Sequence, residues 1–338
     1  DGETLCATHF YTGRVSPIDL RARVAGPSIP TGPGSNFAGF AAFDPAGRYL
    51  WVPHVRSNTT NVHRLFDTTI FPLVSIVDVE GGREIRERRI GLDAVDRPVS
   101  MPSALAFDPS GRHAYVVHSS SDDLTVLDTR SGLGVGHAPV GHEPRGIVLS
   151  GDGRRAWVAN AVSDDVTVLD LADPSAPRQV EALRVADDRR PPEVQRGERL
   201  FFTSAIPELS RDRWMSCASC HFDAVADGRT WPTPRGPRNT QPLFDVGRTL
   251  PLHWSGDRPD VASFQTTILE EMGGTGLSPE DLSALTAFVH SLPPPPAPVV
   301  PEFPSSPPPA QAVSRAAVRA IAVVLRVGAR RAHPGRES

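Results

Sequence analysis

The sequence predicts a multidomain fold with an all-β partial propeller, a small all-α domain after it, and a disordered tail. An eight-residue motif at 121–128 returns 42 residues later at 163–170, among segments rich in β-branched and aromatic residues. Apolar residues at helical spacing lie on both sides of a Cys/His motif at 217–221. Ten of the residues from 293 to 309 are Pro. The expected boundaries are 1–188, 189–293 and 294–338.

The composition is that of a turn-rich chain with an ordinary core. Gly (28) and Pro (35) make up about a fifth of the 338 residues, where about 12% is usual. All 35 basic residues are Arg, which excludes Schiff-base lysines and the phosphate-binding lysine of a P-loop. The net charge of −4 argues against a nucleic-acid partner. With every apolar run shorter than 18 residues, we expect no transmembrane span.

Three segments of the first part read as strand, tight turn and strand, at 41–52, 106–117 and 148–158. Strand-rich repeats with a period of about 40 to 50 residues are typical of propeller blades. In this pattern residues 1–185 resemble the YVTN-type β-propeller repeat. With three blades and a remnant at 12–20, we expect an incomplete propeller whose open edges are covered by missing sequence or by a partner.

The repeats themselves contain no ligand-binding motif, so we expect them to be a scaffold. His54, His113 and His118 lie on or beside predicted strands. Single histidines of this kind are expected to be surface residues or hydrogen-bonded core residues rather than metal ligands.

Cys217 and Cys220 form a C-x-x-C-H run with His221. This run is the attachment signature of c-type haem, in which two thiols add across the haem vinyl groups and the adjacent imidazole binds the iron. We expect one covalent haem c per chain. A zinc site would need a second Cys/His pair at matching spacing, and a thioredoxin-like redox pair would need a βα unit; both alternatives stay open.

Two amphipathic helices are predicted around the motif. The first begins near Pro191 and places Val194, Gly197 and Phe201 on one face. The second begins with Ser278 as its N-cap and carries an apolar stripe that stops before Pro293. Two such helices can cross beside a haem, so the second part is expected to be an all-α cytochrome c-like domain.

Residues 195–297 resemble the first haem domain of the di-haem cytochrome c peroxidase and MauG-like family. The matching text is Arg-Gly-Glu-Arg-Leu-Phe at 196–201, Asp-Gly-Arg-Thr-Trp at 227–231, Pro-Arg-Asn-Thr at 237–240, His-Trp-Ser-Gly-Asp-Arg at 253–258 and Glu-Met-Gly-Gly at 271–274. In that family the first haem binds or reduces peroxide. The resemblance implies that Trp254, Gln265 and Glu271 surround the haem, although one extra residue follows Trp254.

Two neighbouring residues, Glu271 and Met272, have expected roles at the iron. A Glu above an open iron position can move a proton between the peroxide oxygens and so assist their separation; the alternative is a solvated residue beside a glycine turn. Met272 would give the His/Met ligation that suits electron transfer. His253 as sixth ligand, or an open position, are the other two interpretations.

The chain departs from that family because it contains a single C-x-x-C-H run. The Pro-rich linker leads to residues 310–338, with six Arg and one Glu, where we expect a frayed tail. We also expect the chain to be a fragment that lacks further blades and a second haem domain.

The expected function is that of a c-type cytochrome, an electron-transfer protein that also acts on peroxide. Its expected partner is a small cytochrome or a cupredoxin. Because haem c is attached on the oxidising side of the bacterial membrane, we expect a periplasmic or extracellular location. The alternative is a propeller-based binding or docking module with an accessory haem domain.

Overall fold

Antiparallel sheets make up the first 185 residues in the computed structural model, which describes residues 2–294. The first sheet contains β1 (Thr4–Thr8), β2 (Val15–Asp19) and β3 (Val24–Ala25). The second contains β4 (Ser35–Asn36), β5 (Ala42–Phe43), β6 (Leu50–Ser57), β7 (Ile70–Asp78), β8 (Arg83–Glu84) and β9 (Ile90–Gly91). A short helix, α1 (Leu92–Val95), follows it.

Two four-stranded sheets come next, each with its strands in chain order. The third sheet contains β10 (Pro102–Phe107), β11 (His113–His118), β12 (Asp123–Asp128) and β13 (Gly134–Pro139). The fourth contains β14 (Pro144–Leu149), β15 (Arg155–Asn160), β16 (Asp165–Asp170) and β17 (Arg178–Arg184). Four antiparallel strands in chain order are the construction of a propeller blade, so the predicted repeat of strands is confirmed.

The sheets bury apolar residues against one another. One cluster joins Trp51 and Ile76 of the second sheet to Leu105 of the third. Another joins Tyr115 of the third sheet to Leu169 of the fourth. This stacking of sheet on sheet gives the first part a propeller-like arrangement.

The predicted tight turns close the first hairpin of each of these three sheets. The backbone N–H of Gly47 donates to the Asp44 carbonyl at 2.8 Å, and the Gly111 N–H donates to the Asp108 carbonyl at 3.0 Å. Both glycines have φ near +70°, a conformation that costs glycine little and other residues more. The Asp-Pro-x-Gly motif therefore forms the predicted tight turns.

Residues 189–294 contain the predicted helix pair, α2 (Pro192–Phe202) and α4 (Pro279–Ser291), with α3 (Gln265–Glu270) between them. The N-cap prediction for α4 is confirmed, since the Asp281 N–H donates to the Ser278 hydroxyl oxygen at 3.1 Å. Turns, 3₁₀ turns and a ribbon of two-residue strands, β18 (Thr230–Trp231) and β19 (Arg238–Asn239), make up much of the remainder. The helices of the expected all-α domain are thus present in a segment that is largely irregular.

The two long helices approach closely at a glycine. A methyl group on Gly197 of α2 would lie 1.9 Å from the Ala284 carbonyl oxygen and 2.7 Å from Cβ of Phe288, both on α4. Phe201 of α2 packs against Phe288 with ring centroids 5.3 Å apart. The contact therefore depends on the absence of a side chain at position 197.

Hydrogen bonds tie this segment to the sheets. Arg213 donates to the Ser121 carbonyl at 2.7 Å and to the Asp123 carboxylate at 2.8 Å. Arg229 donates to the Gly34 carbonyl at 2.9 Å. These arginines flank the Cys/His motif in sequence and hold it against the second and third sheets.

The expected tail at 294–338 lies outside the described residues apart from Pro294. Within residues 2–294, none of the helices is both long enough and apolar enough to cross a membrane.

Candidate functional site

The Cys/His motif folds as one tight turn. A 3₁₀ turn spans Cys217–Ser219, and the backbone N–H of His221 donates back to the Cys217 carbonyl at 2.9 Å. The Ser216 N–H donates to the Ser219 hydroxyl oxygen at 3.0 Å, which caps the turn. Both cysteines and the histidine therefore come from a single compact stretch of backbone.

The turn is anchored on the loop that ends the second strand of the third sheet. The hydroxyls of Ser216 and Ser120 lie 2.9 Å apart. The Ser100 hydroxyl donates to the Trp214 carbonyl at 3.0 Å. The sheets thus fix the position of the residues that precede Cys217.

A hydrogen bond to the backbone orients His221. Its Nδ1 lies 2.8 Å from the carbonyl oxygen of Gln241, to which it donates, so that Nε2 carries the lone pair. Protein atoms surround the ring on most sides, although part of its surface remains open. Burial lowers the pKa of His221 to about 4, against this hydrogen bond, which raises it. The imidazole is neutral at pH 7, as a metal ligand must be.

Cys217 and Cys220 are half-buried free thiols. Burial raises the pKa of Cys217 to about 12 and raises that of Cys220 as well. At neutral pH both are therefore thiols and not thiolates. In the described part of the chain, no group of three or more His, Cys, Asp or Glu side chains has the arrangement of a metal cluster.

This donor set fits a covalently attached haem. Two neutral thiols and an imidazole with an unprotonated Nε2 stand on one turn, and Nδ1 of that imidazole is held by a backbone carbonyl. A carbonyl in that role fixes the tautomer and the ring orientation of a metal-binding histidine. Cys217, Cys220 and His221 are thus the residues that could hold the group.

Charged side chains gather near Cys220. The charges of Asp227 and Glu271 raise the pKa of Cys220 and that of Arg64 lowers it, all as smaller effects than burial. Arg64 donates from Nε to the Glu271 carboxylate at 2.6 Å, and its guanidinium carbon lies 5.8 Å from the centre of the Trp231 ring. Nη1 of Arg64 is buried and has no hydrogen-bond partner among residues 2–294.

Met272 and His253 both lie in this neighbourhood. Met272 is 4% exposed and belongs to the apolar cluster that packs against Cys217 and Cys220. The Trp214 indole N–H donates to its backbone carbonyl at 3.2 Å. The charge of His253 lowers the pKa of His221 as one of the smaller causes, so this ring is near the motif too.

Gln265 and Trp254 make their hydrogen bonds outside the Cys/His motif. The Gln265 amide group donates to the Leu277 carbonyl at 2.9 Å and accepts from the Leu277 N–H at 3.1 Å. Trp254 is 60% exposed and donates to the Asn239 carbonyl at 2.8 Å. Among the described residues, the hydrogen bonds and ring contacts of these two side chains do not reach the Cys/His motif.

Sequence reasoning missed Arg64 and Gln241. Arg64 belongs to the loop between β6 and β7, more than 150 residues before the motif, and no local pattern singles it out. Gln241 contributes only its backbone carbonyl, which any residue could supply. Only the folded chain brings either of them to the site.

Comparisons with known proteins assign no family, since no family model and no curated protein matches the chain. Solved structures with similar backbones include Kuenenia stuttgartiensis hydrazine synthase, at a TM-score of 0.46 and 22% identity over 51% of this chain and 56% of that one. A functionally unknown protein from Desulfotomaculum acetoxidans has a TM-score of 0.40 and 13% identity over 55% and 54% of the two chains. The dihydro-heme d1 dehydrogenase NirN in complex with DHE has a TM-score of 0.36 and 16% identity, over 54% of this chain and 35% of that one. This chain thus matches about half or less of the length of these proteins.

Proposed function

We propose that the chain is a c-type cytochrome that would hold one haem c on Cys217 and Cys220, with His221 as a ligand of its iron, and that it transfers electrons. The observation that carries the proposal is the hydrogen bond from His221 Nδ1 to the Gln241 carbonyl, which presents a neutral Nε2 beside two thiols of the same turn. A bound haem supplies one-electron redox chemistry at its iron. The residues around the motif hold, orient and shield that group.

We assign residues 189–293 to a cytochrome c-like domain related to the first domain of the di-haem peroxidases. The helix pair that meets at Gly197 supports the assignment, because the family-like text Arg-Gly-Glu-Arg-Leu-Phe places a glycine at that contact. The Asp-Gly-Arg-Thr-Trp text also has a structural role, since the Trp231 indole N–H donates to the buried Asp227 carboxylate at 2.7 Å. These contacts keep the segment after His221 in place.

We propose Met272 as the sixth ligand. Its side chain is buried in the cluster that contains both cysteines, and Trp214 holds its backbone. Thioether ligation raises the reduction potential and suits electron transfer.

Oxidised and reduced visible spectra of the matured protein test this assignment. We expect a low-spin ferric spectrum, which Met272→Ala converts to a high-spin one, while His253→Ala leaves it unchanged. A Met272→Ala spectrum identical to that of the native protein, or loss of the low-spin state in His253→Ala, would reject Met272 as the ligand.

Peroxide reduction is the alternative activity that we propose; it requires an open position on the iron in place of Met272, and Glu271 supports it. This carboxylate is half-buried near Cys220, where it could hold or move a proton. By the family resemblance Gln265 and Trp254 would assist it, although their present contacts lie with Leu277 and Asn239. Glu271 also forms an ion pair with Arg64.

Peroxide-dependent oxidation of a reduced dye tests this activity. We expect Glu271→Gln to slow dye oxidation by about 100-fold, within the usual contribution of one acid–base group. Glu270→Gln, at the exposed neighbouring residue, is the matched control and should oxidise the dye at the native rate. Equal rates for the two variants would exclude a proton-transfer role for Glu271.

We further propose that a small cytochrome or a cupredoxin is the redox partner and that the protein works in the periplasm or outside the cell. Haem c is attached on the oxidising side of the bacterial membrane, so the Cys217–His221 motif itself supports export.

A further inference from the structure

A cavity lies next to the Cys/His motif. It measures about 290 Å³ and lies between the sheets and Phe222, the residue after His221. Its walls include Phe10, Phe37 and Met101. The volume is at the lower end of the range for small-molecule sites, which suits a ligand of one or two rings.

Three of the nine lining residues are aromatic, and their rings contact one another. The ring centroids of Phe10 and Phe222 lie 4.7 Å apart, and those of Phe37 and Phe222 lie 5.4 Å apart with a stacked geometry. The guanidinium carbon of Arg145 lies 4.8 Å from the centre of the Phe222 ring. A flat aromatic ligand can extend such a stack, and this arrangement favours it over a branched aliphatic one.

One of the lining residues, Arg145, has a buried donor that lacks a partner. Nε of Arg145 is buried and has no hydrogen-bond partner among the described residues. The two hydroxyls that line the cavity already donate, Ser103 to the Pro144 carbonyl at 2.6 Å and Ser119 to the Met101 carbonyl at 3.0 Å. A buried donor left unpaired is costly, so a ligand oxygen that accepts from Arg145 would be favoured.

The charges around Arg145 select an uncharged acceptor. Glu143 and Asp223 both accept from Nη2 of Arg145, which neutralises its positive charge. Burial raises the pKa of Glu143 to about 7, against the charge of Arg145. A ligand carboxylate would meet these carboxylates without a surplus of positive charge, whereas a neutral carbonyl oxygen would not be repelled.

We propose that this cavity binds a small, neutral aromatic carbonyl compound of the quinone class. The ring lies against Phe10, Phe37 and Phe222, and a carbonyl oxygen accepts from Arg145. None of the lining residues belongs to the Cys217–His221 motif, so this proposal does not rest on the proposed haem.

Equilibrium dialysis of the full chain with duroquinone tests the proposal. This fully substituted quinone cannot add thiols at its ring, and durene has the same ring and methyl groups without the carbonyls. We expect saturable binding of one duroquinone per chain and at least about tenfold weaker binding of durene. An absence of saturable duroquinone binding, or equal affinity for durene, would overturn the assignment.

Two variants locate the binding. Gly39 lines the cavity, and a Cβ there would meet only the Phe10 ring at 3.6 Å, so Gly39→Leu should fill the space and weaken duroquinone binding at least tenfold. Gly151→Leu, where a Cβ meets nothing within 4 Å, is the matched control and should bind normally. Arg145→Lys keeps the charge but removes the Nε donor, so it should weaken duroquinone and leave durene unchanged. Native affinity in both Gly39→Leu and Arg145→Lys would place the quinone elsewhere.

Discussion

His54, His118 and Asn160 occupy equivalent positions in three successive sheets, each three residues after the aromatic residue of its strand. Each makes a hydrogen bond to a hydroxyl on the following strand. His54 lies 2.8 Å from Ser75, His118 lies 3.1 Å from Thr125, and Asn160 lies 2.9 Å from Thr167. The two histidines are thus buried, hydrogen-bonded core residues, as the sequence predicts.

Burial makes these histidines sensitive to acid. It lowers the pKa of His54 and of His118 to about 4, from an ordinary value of 6.5. Because the unfolded chain takes up protons at a higher pH than the folded chain, their contribution to stability is complete above about pH 6.5. It is lost as the pH falls from there towards 4. The loss is on the order of 3 kcal/mol for each fully buried ring.

His118→Asn should therefore flatten the pH dependence of stability. Asn already occupies the equivalent position 160, so the substitution fits the repeat. Urea unfolding at pH 7 and pH 4 should show a loss of unfolding free energy that is smaller in the variant by about 3 kcal/mol. His290→Asn, at an exposed histidine on α4, is the control, and an equal pH dependence in native protein and His118→Asn would contradict the interpretation.

The proximity of the three predicted haem-binding residues follows from local sequence, whereas their role stays a prediction. Cys217, Cys220 and His221 are adjacent in the chain, and one turn places them together. Arg64 escapes prediction because its partner Glu271 is 207 residues away. Gln265 differs again, since both ends of its amide are held by the backbone of Leu277, and such a pairing leaves no pattern in sequence.

At the scale of elements, the contact between α2 and α4 is the most constrained feature. Gly197 permits the helix backbones to approach where any side chain would collide with the Ala284 carbonyl. Helix propensity by itself favours Ala over Gly by about 1 kcal/mol. Packing thus predicts that Gly197→Ala destabilises the protein, whereas helix propensity predicts that it stabilises the protein.

Gly197→Ala should destabilise the protein by about 2 kcal/mol or more, because the helices must separate to admit the methyl group. The measurement is the free energy of unfolding in guanidinium chloride. Gly151→Ala, at a glycine with open space around its Cβ position, should change it by less than about 0.5 kcal/mol. A Gly197→Ala variant more stable than the native protein would show that helix propensity outweighs packing at this position. The close contact between α2 and α4 would then be wrong.

The elements predicted from sequence are those with strong periodicity or strong turn chemistry. The four-stranded sheets follow from the repeated strand–turn–strand segments and the Ser-Asp-Asp motif, and α4 follows from Ser278 and Pro279 at its start. The ribbon of β18 and β19 and the 3₁₀ turns were not predicted. They are two or three residues long, too short to show a period.

At the scale of the whole molecule, one apolar cluster connects the sheets to the segment that contains the Cys/His motif. It contains Phe37 and Met101 from the sheet part together with Leu200 and Met272 from the later part. Arg213 and Arg229 add hydrogen bonds to the sheets on either side of the motif. The sheets therefore position the motif as well as carrying the repeats.

Sequence patterns could not predict that the sheets and the later segment share one apolar cluster. Periodicity identifies which face of an element is apolar but not which distant element covers it. The apolar residues of the loops at 205–264 have no period at all, and their burial follows only from the folded chain. The expected boundary at 188–189 remains a prediction, although the cluster contains residues from both sides of it.

The most direct measurement is the intact mass of the full chain after expression in a bacterium that matures c-type cytochromes. Our account predicts a mass increased by one haem, retained after denaturation and absent from the Cys217→Ala/Cys220→Ala double variant. A native chain with the mass of the bare polypeptide, from a host that attaches haem to a control cytochrome, would contradict it.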